Sequence, residues 1–246
     1  MGNIGLTTRR KSNIEDSDLG DVDTPLMPEV ESQLNRKFKM TSKSLMLIDV
    51  QKCFSEGTWA DRFGLDEVRQ IREAYDRCVD VLRVTQHIPT LVTRTPFPGP
   101  DGELDERVKS ITQERGIECL SKPGNSVLHA VGFVKWMEER IRNGSRIIII
   151  GGNTTTSCVK TSSVAIARAF RAKGLQVVVD LSMCGARATN HKKRCPDCLE
   201  SYEMDYDGPL CDACVDPAVG LQSPVEAAVK EMKKNGVTVV EKFKMW

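Results

Sequence analysis

The chain has 246 residues, 40% of them hydrophobic and 28% charged, the ordinary make-up of one globular domain with a sizeable core. Its 35 basic side chains against 34 acidic ones leave a net charge of +1, so no overall field recruits nucleic acid or an anionic membrane. No apolar run approaches the roughly 20 residues that cross a bilayer, and MGNIGLTTRRKSNIEDSD carries neither a secretory apolar core nor the Ser or Thr at position 6 that myristoylation requires. Together with an odd count of nine cysteines, these features predict a cytoplasmic protein whose thiols are reduced and have separate jobs.

Residues 1–43 show no sustained apolar period and mix Arg9, Arg10 and Lys11 with Glu15, Asp16, Asp18, Asp21 and Asp23. They read as a flexible or extended arm, either packed loosely or docked on a neighbouring subunit. From residue 44 to 246 short apolar runs alternate with amphipathic stretches. A strand over Leu45–Val50 precedes a helix carrying Val68, Ile71, Tyr75, Cys78 and Leu82, and a strand over Thr90–Thr93 leads into the loop PFPGPDGE. Ile117–Leu120 is a short strand, and Ser126–Arg142 a helix with Val127, Val131, Val134 and Ile141 inward and Asn143-Gly144 as its stop. Arg146–Ile150 is the clearest strand; a helix from Ser157 to Lys173, closed by Gly174, then leads to a strand over Leu175–Asp180. After an insertion at about 190–218 come a helix over Pro224–Asn235 and a strand over Val237–Glu241. The pattern predicts a three-layer α/β/α sandwich around a mainly parallel sheet of about six strands, Rossmann-like in layout.

In such a fold the active site lies beyond the carboxyl ends of the strands. Asp49 closes the first strand, Lys122 follows the third, and Cys158 follows the strongest across a Gly-rich turn at a helix start. A helix N-terminus and a nearby Lys both favour thiolate, and a carboxylate can carry the proton away. Each residue also has a plain structural reading: a packed thiol, a loop cap and a solvated loop charge respectively. The coincidence of all three at one edge favours a nucleophilic site.

The stretches LMLIDVQKCF, KPGNSVL and GNTTTSCVKTSSVAIARAFRAKGLQVVVD resemble, in order and spacing, the three signature regions of the isochorismatase-like cysteine hydrolases, over roughly residues 44–185. The resemblance implies a catalytic triad of Asp49, Lys122 and Cys158 and a cis peptide at Asn153-Thr154. It further implies an oxyanion hole made by the backbone N–H groups of Thr154 and Cys158. Nicotinamidases of the same superfamily bind a catalytic metal through an Asp and two His residues near the second strand. The corresponding TRTPFPGPDGELDE has no His, so the expectation is no catalytic metal, no organic cofactor and a substrate other than nicotinamide. The nucleophile favours hydrolysis of an amide or carbamoyl C–N bond through a thioester, releasing ammonia or an amine. The alternatives are isochorismatase-type hydrolysis of another small substrate, or a non-catalytic scaffold. The family's habits imply a homo-oligomer, a dimer or tetramer. Phe54, Trp59 and Arg94 either line the pocket, with Arg94 gripping a substrate carboxylate, or pack the loops; Gln51 either orients substrate or caps its loop.

The insertion holds Cys195 and Cys198, then Cys211 and Cys214, two C-x-x-C knuckles suited to one tetrahedral structural zinc. Its Lys192, Lys193 and Arg194 are outnumbered by acidic residues, which repels a phosphate backbone. Leaving the sheet at a strand's carboxyl end, it is expected to serve as a lid or subunit contact beside the active site.

Overall fold

The structure, a computed structural model, describes residues 42–201, 211–216 and 220–244. The predicted arm lies outside the described residues up to residue 41, and Lys43 already belongs to the first strand. In chain order the elements are β1 (Lys43–Ile48), α1 (Lys52–Ser55), α2 (Thr58–Phe63), α3 (Leu65–Val84), β2 (Thr90–Arg94), α4 (Glu106–Glu114) and β3 (Glu118–Ser121). There follow α5 (Phe133–Arg142), β4 (Ile147–Asn153), α6 (Lys160–Phe170), β5 (Gln176–Gly185), α7 (Pro196–Glu200), α8 (Asp212–Val215), α9 (Pro224–Lys234) and β6 (Thr238–Val240). The six strands form one sheet in the order β3-β2-β1-β4-β5-β6, every neighbouring pair parallel.

Because side chains alternate along a strand, the sheet splits the core in two. Leu45, Leu47, Val92 and Ile149 pack with Val68, Ile71 and Tyr75 of α3 and Val108 and Ile111 of α4. Met46, Ile48, Leu91, Ile148, Ile150, Val177 and Val179 pack on the other face with Phe133 and Met137 of α5, Val164 and Ile166 of α6, and Met232 of α9. The result is the expected three-layer sandwich. Among the described residues, no helix is long and apolar enough to cross a membrane.

Three local expectations are corrected. The helix predicted from Ser126 is a short 3-10 turn at Val127–His129 and then α5, separated by Gly132 at φ 94°. That break resets the helical phase, so Val131 is 91% and Val134 45% exposed, while Phe133, Trp136 and Met137 turn inward. Helix α4 was not anticipated behind the Pro/Gly-rich loop; Asp105 caps it, accepting from Arg107 N at 3.2 Å. Strand β5 continues to Gly185, past its expected end at Asp180.

The glycines ahead of the Thr155–Val159 turn set how closely the central strands approach. Gly152 has φ 117°, and a Cβ there would stand 2.0 Å from the carbonyl oxygen of Ile48 at the end of β1. A Cβ on Gly151 would also be too close, 2.6 Å from the Met183 Cβ of β5. The Gly152→Ala variant is expected to lose at least about 3 kcal/mol of stability, read as a lowered urea midpoint at unchanged slope.

Candidate active site

Asp49, directly after β1, has φ 48° and is the one non-glycine residue with positive φ among those described. A short polar side chain tolerates that conformation. Thr93 Oγ1 donates to its Oδ1 at 3.0 Å and Thr95 Oγ1 to its Oδ2 at 3.1 Å, which fixes the carboxylate at the carboxyl edge of the sheet. Lys122 follows β3, anchored by its N–H to the Arg94 carbonyl at 2.8 Å. Its Nζ is 2.9 Å from Asp49 Oδ2 and 3.4 Å from Cys158 Sγ, and it donates to the Gly124 carbonyl. An ammonium has three hydrogens, and each finds one of these acceptors. Asp49 and Lys122 are wholly buried, and Cys158 is 9% exposed.

Cys158 sits in a π-type turn, Thr155–Val159, that feeds α6. The Thr154 carbonyl accepts from the N–H groups of Ser157 and Val159, both at 3.1 Å, and the Asn153-Thr154 peptide is cis, where the resemblance put it. The expected thiolate is not the resting state. Burial foremost, then the Asp49 carboxylate, push the Cys158 thiol from 9.0 up to about 11, against the opposing pull of Lys122. Alkylation of Cys158 by a neutral reagent is therefore expected to rise with pH about a midpoint near 11, followed by peptide mass spectrometry. Since the unfolded chain releases this proton first, the fold loses stability as pH climbs from 9.0 to about 11, and Cys53 and Cys78, also raised by burial, act in the same sense.

Residues that the sequence reading did not single out complete the surroundings. Thr93 and Thr95 hold the carboxylate, and Asn125 Oδ1 accepts from Cys158 Sγ at 3.6 Å. Asn125 lies within the quoted KPGNSVL, but no spacing rule marks it as a neighbour of the thiol.

The four residues considered for substrate binding divide differently. Both ends of the buried Gln51 amide are engaged: Nε2 donates to the Thr95 carbonyl at 2.8 Å and Oε1 accepts from Thr95 N at 2.8 Å. Gln51 thus braces two loops. Phe54 and Trp59 are buried in an edge-to-face pair at 4.8 Å, part of the core under α3, so they pack the loop. Arg94 follows Thr93 in β2, and strand alternation sends it to the opposite face. It lines a separate cavity of about 500 Å³ with Glu103, Thr112 and Cys119.

The four knuckle sulfurs lie within 4.8 Å of one another, with Cys211 Sγ 3.6 Å from Cys195, 3.5 Å from Cys198 and 3.6 Å from Cys214. Sulfurs tetrahedral about a metal at about 2.3 Å are about 3.8 Å apart, so the set fits a metal ion. Hydrogen bonding from Cys198 lowers the Cys211 thiol to about 7, and the Cys195 N–H points to Cys214 Sγ at 3.2 Å. The base of the insertion stands on the same sheet edge as Cys158. Asn190 Nδ2 donates to Thr156 Oγ1 in the turn that carries Cys158 at 3.2 Å, Thr189 N to Glu67 at 3.0 Å, and Arg194 pairs with Gln222.

No protein-family model matches the sequence, and no curated protein does. Solved structures do match. An isochorismatase from Pseudomonas putida KT2440 is 16% identical at a TM-score of 0.54, over 82% of this chain and 88% of that one. Nicotinamidase PncA from Bacillus subtilis is 15% identical at 0.53, over 81% and 99%. The YcaC gene product of Escherichia coli, described as an octameric hydrolase of unknown specificity, is 16% identical at 0.51, over 82% and 76%. The strand order, the layers and these matches agree: the chain has the isochorismatase-like fold.

Proposed function

We propose that the chain is a hydrolase that uses Cys158 to cleave an amide or carbamoyl C–N bond of a small molecule through a thioester. The observation that carries this reading is the buried ammonium of Lys122, 2.9 Å from a carboxylate and 3.4 Å from a thiol at the strand ends. Asp49 takes the S–H proton as sulfur attacks the carbonyl carbon, and Lys122 stabilises the anionic sulfur. The N–H groups of Thr154 and Cys158 receive the oxyanion. Collapse breaks the C–N bond, Asp49 returns the proton to the departing nitrogen, and the same carboxylate then activates water to release the acid and restore the thiol.

The donor set also bears on substrate. TRTPFPGPDGELDE offers no His to complete an Asp and two-His metal set, which disfavours nicotinamide. The four-cysteine knot suits zinc, whose closed sulfur shell is structural. The octameric YcaC neighbour supports a homo-oligomer. The test is ammonia or amine release from a panel of amides, ureas and carbamoyl compounds by the wild type and by Cys158→Ala. A compound hydrolysed by the first and not the second supports the proposal; equal rates on every hydrolysed compound overturn it.

A further inference from the structure

Asn125 is exposed yet held in place. Its carbonyl accepts from Ser162 Oγ at 3.1 Å, and Ser162 Oγ accepts from Val127 N at 3.0 Å. Ser162 lies four residues beyond Cys158, on the same face of the same helical segment. Loop and nucleophile are thereby fixed to one rigid element, and the Asn125 carboxamide oxygen is presented to Cys158 Sγ at 3.6 Å.

The other groups around the sulfur differ in kind. Lys122 offers hydrogens only, and both it and Asp49 are wholly buried and engaged with one another. Asn125 brings a neutral acceptor on the exposed side of the sulfur. A carbon held about 3–3.5 Å from Sγ for attack places its substituents beside that oxygen. The oxygen suits a substituent that bears hydrogen.

We infer that Asn125 determines specificity by accepting the N–H of the nitrogen to be expelled, so that the substrates are amides or carbamoyl compounds carrying at least one hydrogen on that nitrogen. This rests on the reading of Cys158 as nucleophile. An ester of the same acid has no such hydrogen.

p-Nitroacetanilide and p-nitrophenyl acetate make the comparison, because both acetylate the thiol and differ in whether p-nitroaniline or p-nitrophenol leaves with the thiol proton. Release of the chromophore and the mass of the Cys158 peptide are followed under single-turnover conditions in the full chain and in its Asn125→Ala, Asn125→Asp and Cys158→Ala variants. The amide-to-ester rate ratio is expected to fall about tenfold in Asn125→Ala and to stay within about twofold of wild type in Asn125→Asp, which keeps the acceptor. The added charge acts on the thiol for both probes and cancels in the ratio. A wild-type ratio in Asn125→Ala, with Cys158→Ala inert to both probes, overturns this inference alone. Wild-type rates in Cys158→Ala overturn the nucleophile reading instead.

Discussion

Cys158→Ala is expected to abolish C–N hydrolysis, a loss on the order of 10⁶-fold in kcat, and Asp49→Asn to lower it by about 10⁴-fold while making the thiol more acidic. The second pair of effects runs in opposite directions for one reason. Burial foremost and then Asp49 raise the Cys158 thiol while Lys122 lowers it, so an uncharged asparagine leaves Lys122 opposed by burial alone. A thiolate becomes easier to form, but the base proposed to shuttle its proton to the leaving nitrogen is gone. Turnover on a panel hit, set beside the pH dependence of Cys158 alkylation, separates the two. An Asp49→Asn protein with wild-type turnover, or with a thiol midpoint unchanged, contradicts the assigned role. Lys122→Met is expected to raise the thiol further and to cost about 3–5 kcal/mol, because Asp49 is left as a buried charge without its counterion.

The second large effect concerns the cysteine knot. Purified protein is expected to carry one zinc per chain by elemental mass spectrometry. Cys198→Ser and Cys214→Ser are expected to lose it. Structural zinc sites in peptides hold the metal with about 10–16 kcal/mol of apparent free energy at neutral pH, and that energy is also folding energy for the segment. The knot is joined to the body through Asn190, Thr189 and the Arg194–Gln222 pair, whereas the two hydrophobic clusters of the sheet lie elsewhere. Metal removal by a strong chelator is therefore expected to leave the far-ultraviolet spectrum of the sheet largely intact while lowering the melting temperature. A metal-free protein with full thermal stability counts against a structural metal.

Much of this architecture was legible because β4 opens on four consecutive isoleucines and Gly174 and Pro224 punctuate the helices that flank β5 and β6. The strand-end rule then brought Asp49, Lys122 and Cys158 to one edge without any contact being known. What escaped depends on three-dimensional registration. Arg94 and Thr93 are adjacent in sequence, yet only Thr93 meets Asp49, because pleating sends neighbours to opposite faces. Gln51 bears polar atoms at the right edge, but its partners are main-chain atoms of a loop some fifty positions away. Gly132 interrupts what looks like one apolar period, so spacing alone does not give the phase of α5. The thiol's protonation state depends on burial, and a helix start with a Lys nearby points the opposite way.

The strand order has a kinetic consequence. Asp49, Lys122 and Cys158 come from the ends of β1, β3 and β4, yet β2 stands between β1 and β3, and β1 pairs with β4 only after three crossovers. Parallel pairing of this kind closes long loops before any contact rewards them. No early hairpin or helical fragment can hold even two members of the site at bonding distance. Recovery of the Asp49–Lys122–Cys158 contacts during refolding therefore reports completion of the central sheet, and a partly folded chain emerging from synthesis does not yet hold them.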